Sequence, residues 1–309
     1  MSGLPVALGG IIPPVSTPMT EDFAVDEESL RRLIAFLLEG GVSGLFMLGS
    51  TSEAVFLTDA QRARVIAIAI DAAAGRVPVL AGIVDMTTAR CLDHAHTAHG
   101  LGADALVLTA PFYMTPSQGE IIEHFHAVRA AVDLPIIAYD IPVAVHTKIE
   151  RETVLALARE GVIAGLKDSS GIEGNFRCLA LDRAALPGFH LFTGSELLVD
   201  VAVYVGASGA VPGLANVDPH GFVRLYEAAT AGDWAKAREE QARLFQLYDI
   251  VRAAAPGRMG TGSAAFGAFK TALMMRGVIE TNVVGRPQRR LNDEETARVR
   301  EILTHVNLL

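Results

Sequence analysis

Strand-like and helix-like segments alternate along most of this chain, and this alternation restricts the fold more than any other feature. Short apolar runs of strand length are each followed by a stretch with apolar residues at helical spacing, and eight such pairs fit into about 230 residues. Strands that alternate with helices pair in parallel, and eight units are the number that closes a barrel. The sequence therefore predicts an α/β fold, a (β/α)8 TIM barrel. An open doubly wound sheet is the alternative, but it needs a phosphate-binding turn after its first strand, where this chain has Pro13 and Pro14.

The predicted strands are short and end in polar or glycine-containing turns. They cover residues 9–14, 45–48, 77–83, 105–108, 135–139, 162–167, 190–192 and 207–211. Asp26, Thr58 and Ser117 are helix-capping residue types, and they predict the starts of three of the intervening helices.

After Gly232 only helical patterns remain, over residues 233–252, 261–275 and 292–306. Each of these helices has an apolar face that must be buried against the barrel or against a second subunit. We therefore divide the chain into a barrel, residues 1–231, and a C-terminal three-helix extension, residues 232–309. We expect the extension to be an appendage of the barrel and not an independent domain.

Charge and composition exclude several classes of protein. The net charge of −9 leaves no basic surface that could follow nucleic-acid phosphates. No apolar run reaches the ~18 residues of a membrane-spanning helix, and residues 1–10 lack the basic region and long apolar core of a secretory leader. Cys91 and Cys178 are too few for a disulfide framework, and free thiols suit a reducing compartment. We therefore predict a cytoplasmic protein that binds neither nucleic acid nor membranes.

Residues 162–170 contain one lysine, Lys167, at the end of a run of apolar and small residues. A short buried strand that carries an amine at its tip has this pattern. Burial disfavours the charged form of a lysine, and a neutral amine can attack a carbonyl to form a Schiff base. The alternative is structural: the side chain extends to solvent or pairs with Asp168.

The carboxyl ends of the other strands supply further candidates, because these ends meet on one face of a parallel barrel. In chain order they are Gly49, Ser50, Thr51, Glu53, Tyr113, Tyr139, Gly194, Glu196, Gly209 and Ala210. Backbone N–H groups and hydroxyls in the turn around Ser50 and Thr51 suit a carboxylate, and a tyrosine on the strand next to the lysine suits proton transfer. Structural alternatives stay open: the turn as a helix cap, Tyr139 as a core aromatic, Tyr113 as a loop packing residue, and Glu53 bonded to its own loop.

Three motifs, Gly49–Glu53, Tyr139–Pro142 and Gly165–Lys167, resemble in order and spacing those of the dihydrodipicolinate synthase / N-acetylneuraminate lyase family. The likeness covers nearly the whole chain. It implies class I lyase chemistry, in which Lys167 forms an imine with pyruvate or another 2-keto acid and Tyr139 relays protons above it. It implies that Ser50 and Thr51 hold the keto-acid carboxylate, with Ser50 also in the relay. It implies that Tyr113 reaches across a subunit interface, in a homotetramer built as a dimer of dimers.

The sequence departs from the family pattern at two positions. Ser52 stands where a glycine usually precedes the glutamate, and Ala144 stands where true dihydrodipicolinate synthases have the arginine that holds the carboxylate of aspartate semialdehyde. Loss of this charge-assisted clamp disfavours lysine biosynthesis. Glu196 lies where sugar-specific members place an acidic group that binds hydroxyls, although it could instead cap the next helix.

We therefore predict a carbon–carbon lyase that cleaves or makes a 2-keto-3-deoxy sugar-acid-like compound. Its site residues are Lys167, Tyr139, Ser50 and Tyr113 for catalysis, with Thr51, Gly49, Gly194, Glu196 and Ala210 for substrate binding. The alternatives are a 2-keto-3-deoxy sugar acid dehydratase, a 4-hydroxy-tetrahydrodipicolinate synthase, and a non-catalytic barrel that senses a keto acid. No cofactor is expected, since the lysine supplies the electrophile, and no metal, since His94, His96 and His99 lack metal-ligand spacing.

Overall fold

The structure of the protein, a computed structural model, describes residues 8–309. Residues 1–7, on which most of the expectation about a leader rests, lie outside the described residues. The described part holds one eight-stranded sheet in which every neighbouring pair is parallel, in the order β1-β8-β7-β6-β5-β4-β3-β2. The strands are β1 (Gly10–Ile11), β2 (Leu45–Met47), β3 (Val79–Gly82), β4 (Ala105–Thr109), β5 (Ile136–Asp140), β6 (Gly165–Asp168), β7 (His190–Thr193) and β8 (Gly209–Ala210).

The first strand closes the sheet into a ring by bonding on both sides. Gly10 pairs with Gly209 on β8, while the residues just after β1 reach β2, where Val15 N donates to Phe46 O at 2.8 Å and Phe46 N donates to Pro13 O at 3.0 Å. A Cβ atom on Gly209 would lie 2.0 Å from the Gly10 carbonyl oxygen, so this join requires glycine. The predicted TIM barrel is confirmed, and the prolines extend the closing strand.

Helices follow the strands and cover the outside of the barrel. They are α1 (Glu27–Glu39), α2 (Asp59–Ala73), α3 (Thr88–Leu101), α4 (Gln118–Ala131), α5 (Pro142–Val145), α6 (Arg151–Arg159), α7 (Glu173–Asp182), α8 (Val199–Tyr204) and α9 (Pro219–Thr230). The predicted caps Asp26, Thr58 and Ser117 each accept a hydrogen bond from a backbone N–H in the first turn of their helix. Each cap satisfies a donor that the helix start would otherwise leave free.

The C-terminal helices are α10 (Trp234–Tyr248), α11 (Thr261–Met275) and α12 (Asp293–His305), with a 3-10 turn at Asp249–Arg252. Helix α10 packs against α9 and α8 of the barrel, and α11 contacts the 3-10 turn Gly213–Asn216 that follows β8. The bounds of α11 are those that the sequence predicts. The division of the chain between residues 231 and 232 stays a prediction.

Most strands are shorter than their apolar runs, and β6 shows why. Its run begins at Val162, but the N–H groups of Val162 and Ile163 donate to Leu157 O at 2.9 and 3.4 Å and so close the end of α6. Hydrogen bonds to the neighbouring strands therefore start only at Ala164, and the first paired residue is Gly165. The short helix α5 is not among the predicted helices. No helix within residues 8–309 has the length and apolar character to cross a bilayer.

Acid is expected to weaken this fold through His124. This residue is buried on α4, with Nδ1 2.9 Å from Thr88 Oγ1 on α3, and burial lowers the pKa of its imidazole from 6.5 to about 4. Between these values the unfolded chain binds a proton that the folded protein excludes, so this stability is complete above the unfolded pKa and is lost as the pH falls. We expect the free energy of unfolding to drop by about 2 kcal/mol between pH 7 and pH 5 from this group.

Denaturant unfolding at the two pH values measures the effect. His124→Gln, which does not titrate, should show a smaller drop than the wild type, whereas the exposed control His220→Gln should match the wild type. An equal drop in His124→Gln and the wild type would contradict the assignment.

Candidate active site

Lys167 lies on β6 with its side chain inside the barrel, and it is only 4% exposed. Its Nζ is 4.1 Å from the centre of the Tyr139 ring and 5.0 Å from the centre of the Phe46 ring. The other side chains around it are apolar: Ile12, Leu80, Val107, Ile137, Phe192 and Val211. The amine is therefore held between aromatic rings at the centre of the barrel.

The other lysines of the chain have different surroundings. Lys148 and Lys270 form ion pairs with the buried carboxylates of Asp140 and Glu53, and Lys236 is exposed. Lys167 alone is buried with no carboxylate within 4 Å among the described residues. The structural alternative for this residue, exposure to solvent or a pair with Asp168, is therefore wrong.

Asp168 is turned away from Lys167 because successive side chains of a strand point to opposite faces. Its Oδ1 accepts a hydrogen bond from Ser170 N at 2.7 Å, within the turn that follows β6. The carboxylate thus orders this turn on the outer side of the strand.

Tyr139 is the partner of Lys167 in the β5–β6 register, and it is 3% exposed. Its ring meets the edge of Phe46 at a centroid distance of 6.1 Å and lies under the lysine amine. The residue packs in the core, as the structural alternative states, and in the same position it touches the amine.

The turn at Gly49–Glu53, called the hydroxyl turn below, follows β2 at the same end of the barrel. Gly49 N donates to Ser52 Oγ at 3.1 Å, and Ser52 O accepts from Thr17 Oγ1 at 2.8 Å. The backbone N–H groups of Ser50 and Thr51 have no acceptor within residues 8–309. The N–H groups of Ser50 and Thr51 are therefore available to a ligand, whereas the N–H of Gly49 already donates to Ser52.

Gly49 contributes to the turn through its small size, because its N–H already donates to Ser52. A Cβ atom there would lie 2.7 Å from the Phe46 ring. Thr51 is 9% exposed and Ser50 is exposed to solvent. The hydroxyl turn is thus bound to the barrel on one side and open on the other.

Glu53 does not bond to its own loop through its side chain, and that expectation is wrong. Its Oε1 pairs with Lys270 on α11, and its Oε2 accepts from Gly285 N at 2.6 Å. Both charged side chains are fully buried. Burial lowers the pKa of Lys270, and the nearby Glu53 carboxylate opposes that change.

Gly194 and Glu196 border the site from the turn after β7. A Cβ atom on Gly194 would lie 3.2 Å from Lys167 Cε, so glycine leaves room beside the amine. Glu196 Oε1 accepts from Gly213 N at 2.9 Å, and burial raises the pKa of its carboxyl. The residue before α8 is Leu198 and no side chain caps that helix, so the alternative role of Glu196 as its cap is wrong.

Glu196 and Thr51 approach each other across the mouth of the barrel. Glu196 Oε1 and Thr51 Oγ1 lie 3.2 and 3.1 Å from the point that a Cβ atom on Gly213 would occupy. Ala210 on β8 is fully buried and lies opposite Thr193 in the β7–β8 register. Within one chain, Lys167 therefore lies next to Tyr139, and Thr51 lies near Glu196.

Tyr113 is not among these groups. It is 85% exposed with a φ of 79°, and it makes no hydrogen bond or ring contact within residues 8–309. Exposed apolar side chains lie after β2, β3, β4 and β5, at the same end of the barrel: Val55, Met86, Met114 and Val143. A role for Tyr113 at the amine of its own chain has no support in this geometry.

Sequence reasoning missed Phe46, Gly213 and Lys270. Phe46 lies in the middle of an apolar run, where nothing separates a residue that touches the site from an ordinary core residue. Lys270 had a usable signal, since it is a single charge in the apolar half of α11. Among the described residues no cluster of three or more His, Cys, Asp or Glu side chains could hold a metal, and His94 instead bonds Asp85 Oδ2 at 2.9 Å.

Over nearly its whole length, the chain is similar to known lyases and synthases. A DapA-like lyase of Halobacterium salinarum is 35% identical over 308 residues, covering 100% of this chain and 97% of the relative. A 4-hydroxy-tetrahydrodipicolinate synthase of Desulfotalea psychrophila is 31% identical, with both chains fully covered. The solved structure of YagE from E. coli K12, in complex with pyruvate, is 28% identical with a TM-score of 0.92 and covers 98% of this chain and 100% of its own.

The sequence model of the dihydrodipicolinate synthetase family matches residues 7–306, which is nearly all of the chain. The family model and the full-length relatives lead to the same conclusion: this chain belongs to the dihydrodipicolinate synthetase family.

Proposed function

We propose that this family member is a class I lyase that acts on pyruvate or a related 2-keto acid through a Schiff base on Lys167. The observation that carries the proposal is the buried amine with no carboxylate partner, held between the rings of Tyr139 and Phe46 at the centre of the barrel. A buried lysine without a counter-ion is costly to maintain, and chemistry on its nitrogen gives a reason to keep it. The pyruvate complex of YagE supports the choice of keto acid.

In the proposed reaction Lys167 Nζ attacks the C2 carbonyl of the keto acid, and loss of water leaves an imine. The imine withdraws electrons from C3, so a proton leaves C3 and an enamine forms. The enamine adds to an aldehyde carbon to make a carbon–carbon bond, and the reverse sequence breaks one. Hydrolysis of the imine then releases the product and restores the amine.

The hydroxyl turn is proposed to bind the carboxylate of the keto acid. The free N–H groups of Ser50 and Thr51 and their hydroxyls are donors of the kind that carboxylates accept. Tyr139 and Ser50 are proposed to carry protons to and from the oxygen that leaves C2. Gly194 leaves space beside the lysine, and Gly49 lets the turn pack against Phe46. Ala210, on β8, is proposed to line the binding site.

Tyr113 fits this scheme only as a residue supplied to a second copy. Its exposure, together with the exposed apolar side chains around it, supports an interface at this end of the barrel. We propose a homotetramer, arranged as a dimer of dimers, in which Tyr113 completes the proton relay of the neighbouring subunit. Light scattering that shows a monomer at working concentrations would contradict this arrangement.

Glu196 supports a hydroxylated second substrate. Its carboxyl lies near Thr51, where it can bond to a hydroxyl of a sugar-like chain, and burial raises its pKa. The proposed reaction is therefore cleavage or formation of a 2-keto-3-deoxy sugar acid. Several relatives are named 4-hydroxy-tetrahydrodipicolinate synthase, so this reaction is the second candidate. Against it, Ala144 on α5 supplies no cation for a second carboxylate.

Trapping the imine tests the proposal directly. Pyruvate with borohydride should add one reduced three-carbon group to the protein, and peptide mass spectrometry should locate it on Lys167. The assignment is unambiguous because the chain has only four lysines, which are Lys148, Lys167, Lys236 and Lys270. An unmodified Lys167 at high pyruvate concentration would sink the proposal.

Product analysis separates the candidate reactions. Released pyruvate from 2-keto-3-deoxy sugar acids identifies the aldolase, loss of water without released pyruvate identifies the dehydratase, and consumption of pyruvate with aspartate semialdehyde identifies the synthase.

A further inference from the structure

Glu53 and Lys270 form an ion pair that connects the hydroxyl turn to the C-terminal helices, and both side chains are 0% exposed. Lys270 Nζ also donates to Val283 O at 2.7 Å, and Gly285 N donates to the second oxygen of Glu53 at 2.6 Å. Within residues 8–309, the groups that bind the Glu53 carboxylate therefore come from α11 and the segment that follows it.

The backbone of Glu53 is tightly coupled to the groups of the turn that face the site. Its φ of 58° is in the left-handed region, which is costly for a residue with a side chain, and its N–H donates to Ser50 O at 2.9 Å. A shift of the Glu53 carboxylate would therefore move Ser50 and Thr51 with it.

The residue before Lys270 packs against Gly213, close to the same turn. The Phe269 ring lies 3.0 Å from the point that a Cβ atom on Gly213 would occupy, and Thr51 Oγ1 lies 3.1 Å from that point. Two consecutive residues of α11 thus lie at this end of the barrel: Lys270 pairs with Glu53 of the hydroxyl turn, and Phe269 packs against Gly213 near Thr51.

Stability alone is a weak reason for such a pair. Removing two charges from water is costly, and proteins with apolar residues in place of a buried pair are often as stable. A buried pair does fix one geometry, because any displacement separates the charges in a medium of low polarity.

We propose that the Glu53–Lys270 pair positions the hydroxyl turn, so that the C-terminal helices set the affinity of the site for the carboxylate of the keto acid. Glu53 and Lys270 are positioning residues in this account, since they act through Ser50 and Thr51. The inference rests on the proposed function.

Lys270→Met tests it, because methionine keeps most of the length of the side chain and removes the charge. We expect the pyruvate concentration that gives half-maximal borohydride trapping to rise about tenfold, the usual effect of weakening one hydrogen bond to a charged group. The trapping rate at saturating pyruvate should change less than threefold, because the amine of Lys167 is not altered. A purely structural pair would lower the melting temperature and leave the half-saturating concentration unchanged.

Arg243→Met is the matched control. Arg243 on α10 pairs with the buried Asp218 at the start of α9, so its loss also leaves a buried carboxylate between barrel and C-terminal helices without its cation. We expect a lower melting temperature with half-saturation within twofold of the wild type.

Two further measurements keep the proposal testable if Lys270→Met folds poorly. The double variant Glu53→Gln, Lys270→Met leaves no unpaired charge, and its half-saturating pyruvate concentration should stay at least threefold above wild type. In the unmodified protein, pyruvate should slow hydrogen exchange at Gly285 N at least twofold, because coupling between two sites is reciprocal. Wild-type half-saturation in the double variant, or unchanged exchange at Gly285, would overturn the proposal. Absence of trapping in the wild type would instead overturn the proposed function.

Discussion

Replacing Lys167 with alanine is expected to lower turnover of any 2-keto acid substrate on the order of 10⁴-fold, because the covalent step then has no nucleophile. Folding should be preserved or improved, since the buried amine has no ion-pair partner within residues 8–309 to leave behind. Steady-state turnover, borohydride trapping and circular dichroism of the same preparation measure these effects together.

Lys236→Ala serves as the control, because Lys236 is an exposed lysine on α10. It should keep wild-type turnover and full trapping. Turnover of Lys167→Ala within tenfold of the wild type would show that the reaction does not pass through this amine.

Replacing Tyr139 with phenylalanine is expected to lower turnover by about 10²- to 10³-fold, the usual contribution of a positioned proton donor. The phenyl ring should keep the packing against Phe46 and the contact with the lysine amine, both of which use the ring and not the hydroxyl. The free energy of unfolding should therefore change by less than about 1 kcal/mol.

The control for this change is Tyr204→Phe on α8, where the ring is 66% exposed and lies edge-on to Trp234. It should behave as the wild type in turnover and in unfolding. If Tyr139→Phe lost stability and kept its turnover, the tyrosine would be a core residue and the relay would need another donor.

Local chemistry made much of the fold predictable. Apolar periodicity and the caps Asp26, Thr58 and Ser117 located the helices, because each cap acts within one turn of the chain. The start of β6 was misplaced, because hydrogen bonds to Leu157, in the preceding helix, decide where pairing begins. An apolar run predicts that its residues are buried, but it does not predict the hydrogen-bond partner of each backbone group.

The candidate site was predictable where its residues lie on neighbouring strands. Lys167 and Tyr139 are neighbours because equivalent positions of adjacent parallel strands meet. The partners of Glu53 were not predictable, since they lie more than 200 residues away in the chain. Nor could the sequence show that Ser52 occupies the N–H of Gly49, which depends on the exact path of a five-residue turn.

The way in which β1 closes the ring has a consequence for how the chain is made. Gly10 finds its partner at Gly209, and Ser16 N donates to Asn216 Oδ1 across 200 residues of sequence. During synthesis, one edge of β1 and one edge of β7 stay unpaired until β8 has left the ribosome. Strand pairs formed by residues so far apart in the sequence also form slowly. Nascent chains that stop before residue 209 should therefore expose two open strand edges and depend on chaperones to stay unaggregated.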